Sequence, residues 1–237
     1  MNNTAALFNF PAMTKPSVVI APALLGGSFT SMQISAQACL DGGADVLHLD
    51  VMDGQFIPEI TFGAKMISEL RAALPDEPVL DVHLLCVDVD RKIDSFLAAG
   101  ANVLSFPLET SDNPYRNLEK IRDQGCRAGV AILPGTPVSL LEELLPLVDI
   151  VIVMMVHPGE SRLLVSMPDK LTRLRAMIDQ SGHCVRICAD GGVKRHTISG
   201  LASHGADWMV AASAVFAGGQ IGQNISALRQ SVSEQHK

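Results

Sequence analysis

The sequence predicts an α/β protein of the (β/α)8 TIM-barrel class, of the ribulose-phosphate-binding type, on three observations. Eight short apolar runs alternate with eight segments of helical pattern along 237 residues, as βαβ units in a parallel sheet require. The length is close to the roughly 250 residues of such a barrel. The composition is 48% hydrophobic but 4% aromatic, so aliphatic side chains must fill the core, as they do in parallel strands buried on both faces.

The apolar runs are VVIAPALL (18–25), ADVLHLDVM (44–52), PVLDVHLL (78–85), ANVLSF (101–106), RAGVAIL (127–133), VDIVIVMMV (148–156), HCVRICAD (183–190) and ADWMVAASA (206–214). Helical patterns fall near 29–41, 64–74, 89–99, 114–124, 138–146, 168–181, 194–204 and 220–233. Eight such units point to a closed barrel. GGADVLHL, AGANVLSF and HGADWMVA repeat a Gly-Ala-Asp/Asn step between a helix end and a strand. Glycine suits the left-handed position that ends a helix, so the repeat marks architecture. No charged linker divides the chain. It reads as a single barrel domain over 1–237, with a polar, Pro-containing extension at 1–16 and a frayed tail, SVSEQHK.

Composition narrows the function. The net charge of −7 argues against the basic face of a nucleic-acid binder. It leaves room for an anionic small molecule, since backbone N–H groups can hold a phosphate. No apolar run reaches the roughly 18 residues of a membrane span, and the first residues lack a signal-peptide pattern. The five cysteines, Cys39, Cys86, Cys126, Cys184 and Cys188, form no CxxC. They read as reduced thiols of a cytoplasmic protein. Cys184 and Cys188 read as strand residues before they read as a metal pair.

The chemistry-bearing residues sit at strand ends. In HLDVM, His48 and Asp50 share one face of a strand, while Leu47, Leu49 and Val51 share the other. In LDVHLL, Asp81 and His83 share a face, and the seventh run ends in Asp190, Gly191 and Gly192. Two histidines and two acids thus fall at the C-terminal ends of strands 2, 3 and 7, where barrel enzymes carry their sites. Buried charge needs a partner, and imidazole with carboxylate suits a divalent metal. Asp81 reads as the acceptor that orients a metal-bound imidazole. Asp53-Gly54 reads as a turn. Loops after strands 7 and 8 often hold phosphate, which marks Gly191, Gly192 and the N–H groups of Ala212 and Ser213.

Over residues 18 to about 217 the sequence resembles the ribulose-phosphate 3-epimerase family. The matching runs are IAP (20–22), HLDVMDGQFIP (48–58), LDVHL (80–84), PGTP (134–137), VMMVHPG (153–159), ADGGV (189–193) and VAASAVF (210–216). The resemblance implies a soluble epimerase that inverts C3 of a phosphorylated ketose through an enediolate. It implies one divalent metal ion (Zn, Mn, Fe or Co) held by His48, Asp50, His83 and Asp190. Asp50 and Asp190 would be the acid/base pair, Met52 and Met154 the apolar cover, and Gly159 part of the substrate-binding set. It also implies a homo-oligomer.

The departures lie around the substrate. A family serine is Ala23, a methionine is Leu85, a histidine is Pro107 and an asparagine is Leu133. The family's PGFGGQ-type loop is PGESRLLV, and Ala212 replaces a glycine. A missing polar partner can discriminate between substrates by orders of magnitude, so the preferred ketose phosphate is expected to differ from D-ribulose 5-phosphate. Arg162 is a candidate phosphate clamp or a solvated loop residue. Two alternatives remain. A related decarboxylase would need a lysine where Met52 stands. A non-catalytic metal- or sugar-phosphate-binding barrel would keep the fold without turnover.

Overall fold

The computed structural model describes residues 18–160 and 162–233. The expected extension at 1–16 lies outside them. Eight parallel strands form one sheet: β1 (Val19–Pro22), β2 (Leu47–Met52), β3 (Leu80–Leu85), β4 (Val103–Pro107), β5 (Arg127–Ile132), β6 (Ile150–Met154), β7 (Arg186–Asp190) and β8 (Trp208–Ala211). Their order is β1-β8-β7-β6-β5-β4-β3-β2. A bridge between Ala23 and His48 and the bond from Asp45 N–H to Ile20 O (3.2 Å) bring β1 back to β2 and close the ring.

The helices follow the strands. They are α1 (Met32–Asp41), α2 (Ala64–Ala73), α3 (Ile93–Ala98), α4 (Pro114–Asp123), α5 (Met167–Ser181), α6 (Ile198–Ser203), α7 (Ser213–Phe216) and α8 (Ile221–Ser233). The segment expected as a helix at 138–146 is a 3-10 stretch, Val138–Leu147, with Pro146 inside it. A proline lacks the N–H that an α-helical turn needs. β1 and β8 each stop three residues before the ends of their apolar runs. β1 gives way at Leu24 to a 3-10 turn, and β8 gives way at Ser213 to α7. Of the tail expected to be frayed, residues 231–233 belong to α8 and 234–237 lie outside the described residues.

Strand alternation sorts the core into two shells. Leu47, Leu49 and Val51 point outward with Ile67, Leu70 and Leu84 into the layer beneath the helices. Ala21, Val103, Ile150, Ile152, Cys188, Trp208 and Val210 fill the interior. The interior is tight at Gly129, where a Cβ would stand 2.6 Å from Ser105 Cβ and 2.9 Å from Ile150 Cγ2.

The Gly-Ala-Asp/Asn repeat has a structural use. Gly43, Gly100 and Gly205 take positive φ values of 85°, 91° and 103° at the turns. The acid or amide that follows reaches back to the preceding strand at the barrel floor. Asp45 Oδ2 accepts from Ile20 N–H (2.8 Å), Asn102 Oδ1 from Leu80 N–H (2.8 Å) and Asp207 Oδ1 from Ile187 N–H (3.1 Å). Asp149 does the same for Ala128 N–H (2.9 Å), without the glycine signature. Each of the four also meets an arginine: Arg229, Arg71, Arg175 and Arg127 respectively. The floor is therefore clasped four times, each time between an odd strand and the next even one.

Removing one clasp leaves a backbone N–H and a guanidinium without their acceptor, which costs about 1–3 kcal/mol. Asn102→Ala is expected to lower Tm by about 3–8 °C in a thermal melt. Asn102→Asp keeps the acceptor and is expected to lose less.

Candidate active site

β2 and β3 run in register, with His48 beside Asp81 and Asp50 beside His83. This pairing builds the site. His48 is buried with both ring nitrogens facing carboxylates: Nδ1 lies 2.7 Å from Asp81 Oδ2 and Nε2 lies 3.0 Å from Asp50 Oδ1. The Asp81 contact fixes the ring and aims Nε2 at the barrel mouth, as the orienting role expected for Asp81 requires. His83 Nδ1 stands 3.4 Å from Asp50 Oδ1 and 3.4 Å from Asp190 Oδ2. Neither ring nitrogen of His83 makes a hydrogen bond, although both are buried, and Asp81 Oδ1 is likewise buried without one.

The electrostatics follow from this crowding. Burial works to lower the His48 pKa, but Asp50 and Asp81 outweigh it and raise the pKa well above its ordinary value. His83 behaves alike, with Asp190 and Asp50 overcoming burial. Burial pushes the Asp50 carboxyl up, yet His48 and His83 hold it well below the usual range.

His48, Asp50, His83 and Asp190 each offer one donor atom, and the four atoms lie within 4.8 Å of one another. Three buried acids face two imidazoles, and His83 has buried nitrogens with no partner. This donor set fits a divalent cation, which would satisfy those nitrogens and offset the acids. Asp50 and Asp190 are 3% and 8% exposed, so a little of each carboxyl reaches the space above.

That space is a cavity of about 430 Å³. All seven residues expected to bind substrate or phosphate line it: Met52, Met154, Gly159, Gly191, Gly192, Ala212 and Ser213. Gly191 and Gly192 have φ of 96° and 68°. A Cβ would strike Val156 Cγ2 at 2.5 Å on the first and Leu163 Cβ at 2.8 Å on the second. Leu163 of the altered loop thus packs on Gly192. Arg162 is exposed and is not among the residues lining this cavity. Ala23 and Leu85, two of the departures, do line it. Cys184 is exposed on the floor side and Cys188 is buried in the barrel. Neither belongs to the donor cluster.

Sequence reasoning missed four contributors. Thr61 Oγ1 donates to Asp50 O (2.7 Å) and accepts from Met52 N–H (3.0 Å), which pins the strand end that carries Asp50. A lone threonine in a loop gives no signal of this. Glu59, Glu160 and Lys194 also line the cavity. Lys194 could have been noticed from its place just after the ADGGV run. Asp53 does form the expected turn, and it reaches further: Oδ2 accepts from Val87 N–H (3.0 Å) on the neighbouring loop.

Comparison with known proteins agrees with the geometry. A model of the ribulose-phosphate 3 epimerase family matches residues 19–216. Ribulose-phosphate 3-epimerase of Escherichia coli K12 is 38% identical over 200 residues, covering 84% of this chain and 88% of that one. The Rhodobacter capsulatus enzyme of that name is 40% identical over 220 residues, covering 90% and 95%. Among solved structures, 3-keto-L-gulonate-6-phosphate decarboxylase from Vibrio cholerae superposes with a TM-score of 0.69 at 15% identity, covering 92% and 98%. KGPDC from Streptococcus mutans gives 0.70 at 14%, covering 93% and 100%. These two likenesses establish the barrel architecture alone. The family match spans the strands that carry all four clustered residues, and the chain belongs to the ribulose-phosphate 3-epimerase family.

Proposed function

We propose that this chain is a metal-dependent epimerase that inverts the carbon beside the carbonyl of a phosphorylated ketose. One observation carries the reading: two buried acids on β2 and β7, three places apart round the ring, flank the same imidazole and open into the same cavity. Inversion needs a group that removes a proton from one face and another that returns one to the opposite face, each within hydrogen-bond reach. Asp50 and Asp190 suit these roles. His48, Asp50, His83 and Asp190 would hold the metal, whose chemistry when bound is to stabilise negative charge developing on the substrate oxygens.

The rest of the cavity serves binding. Met52, Met154, Leu85, Ile57 and Val156 give the reacting carbon an apolar surround that limits water. At the phosphate end, Gly191 and Gly192 permit close backbone approach, and Ala212 and Ser213 offer N–H groups at the start of α7. Lys194 is the one cationic side chain lining the cavity among the described residues. Ala23 and the Leu163 contact on Gly192 reshape the pocket, which supports a preferred ketose phosphate other than D-ribulose 5-phosphate. Four of the five thiols are buried, consistent with a reducing, cytoplasmic setting. Exposed Phe29, Ile34 and Ile60 are consistent with a homo-oligomer. Among the described residues no helix is long and apolar enough to cross a membrane.

Deuterium exchange from solvent into a panel of ketose phosphates tests the activity. Exchange at the carbon beside the carbonyl is expected for at least one of them. Silence across the panel would leave a sugar-phosphate-binding barrel without turnover.

Each aspartate should serve one epimer first. Asp50→Asn and Asp190→Asn are each expected to lower turnover by about 10²–10⁴-fold. Each should abolish proton wash-out from a different member of the epimer pair. Loss of wash-out from the same epimer in both variants would break the two-face assignment.

Metal binding is read without turnover. Removing divalent ions with a chelator is expected to lower Tm, and adding Zn, Mn, Fe or Co singly to restore it. His83→Ala should erase the restoration by leaving the site one donor short.

A further inference from the structure

A second cavity, of about 420 Å³, lies at the opposite end of the barrel from the proposed site. The first residues of five consecutive strands, Val103, Arg127, Ile150, Arg186 and Trp208, form its base. Three guanidinium groups line it, from Arg122 on α4, Arg127 on β5 and Arg186 on β7, together with the imidazole of His183. Among the described residues, Asp149 is the one carboxylate on its wall. Three cations against one anion leave two positive charges in excess, in a chain whose net charge is −7. A concave wall of one sign concentrates its field and draws in counter-charge.

The partners of these groups show where an acceptor is wanting. Arg127 Nη1 sits 2.9 Å from Asp149 Oδ1, and Arg122 Nη1 donates to Pro146 O at 3.2 Å. Arg186 differs. Its side chain is 13% exposed, and Nη1 is buried without a hydrogen bond. Asp207 Oδ2 is 3.8 Å from that nitrogen and lies closer, at 3.2 Å, to Arg175 Nη2. Counting Asp207 and Arg175 with the wall therefore leaves the same excess of two. A buried cation short of acceptors is costly, and guanidinium groups take phosphate or carboxylate oxygens through paired N–H donors. Arg127 and Arg186 open β5 and β7, two strand spacings or roughly 10 Å apart, so a ligand that answers both carries oxyanion groups at two points. We propose that the barrel-floor cavity binds a small polyanion bearing at least two phosphate or carboxylate groups, one of them on Arg186.

Cys184 lines the same cavity and is the exposed one of the five cysteines. Its alkylation by iodoacetamide, followed by mass spectrometry, reports on occupancy independently of the proposed epimerase activity. Inorganic pyrophosphate and citrate are titrated separately into the intact protein at constant ionic strength. At least one is expected to slow the alkylation saturably; pyrophosphate alone assigns a phosphate ligand and citrate alone a carboxylate. Arg186→Met is expected to weaken that protection by about tenfold or more. It should fold, because Asp207 keeps Arg175. Arg122→Gln changes an exposed side chain and is expected to weaken protection by less. Lys194→Gln, at the barrel mouth, should leave it unchanged. Absence of protection by both anions overturns the proposal, as does equal protection by sodium chloride. Undiminished protection in both arginine variants overturns it too, and loss of protection in Lys194→Gln overturns it in favour of binding at the mouth.

Discussion

Three buried acids at one barrel mouth are the constraint on which the remaining structure depends. Asp50, Asp81 and Asp190 are all under a tenth exposed, and burying unpaired charge is costly. Two imidazoles between them offset part of that charge, and the His83 nitrogens remain without hydrogen bonds. A bound divalent cation would complete the arrangement. The carboxyls cannot retreat, because Asp50 is fixed by Thr61 at its own carbonyl and Asp190 sits at the last position of β7.

The opposite end of the barrel holds that mouth in place. A parallel strand displaced by one residue exchanges its inner and outer faces. On β2 that would turn Leu49 inward and push His48 and Asp50 beneath the helices. The four floor clasps oppose such slippage, because each acid or amide binds one particular backbone N–H of the strand before it. The exposed pairs at Asp45 and Asp149 contribute little through charge alone. Their value here lies in register, since a hydrogen bond to a defined N–H specifies position as well as energy. The chemistry at the C-terminal ends thus relies on geometry set at the N-terminal ends, the division of labour usual in barrels.

Much of this was legible in the chain. Alternating apolar runs mark the eight strands, and period-two alternation alone places His48 with Asp50 and Asp81 with His83. What escaped had a physical reason. The run at 206–214 stays apolar past Ala211, so hydrophobicity alone could not show that α7 begins at Ser213. Val138–Leu147 keeps a helical apolar stripe, and near its end Pro146 lacks the N–H that an α-helical turn would use. The fourth floor clasp lacked the glycine that marks the other three. Thr61, Glu59 and Lys194 act through positions that only the folded loops define, and loop residues carry no periodicity to read.

The distribution of change across the site is itself informative. Every residue of the donor cluster lies on a strand, fixed by the ladder and by the layer packed behind it. The departures lie mainly in loops or at strand ends: Ala23 past β1, Leu133 past β5 and the segment at 160–165. Loops can be rebuilt without disturbing the ring, so the cavity wall can change while the donor cluster keeps its geometry. The cavity's charges then limit what it accepts. Glu59 and Glu160 share it with the single ammonium of Lys194. A phosphate is repelled by the first two and attracted to the third and to the glycine backbone. The acids remain available to accept hydrogen bonds from hydroxyl groups. A pocket of that polarity suits a ligand that is anionic at one end and carries hydroxyl groups along its length.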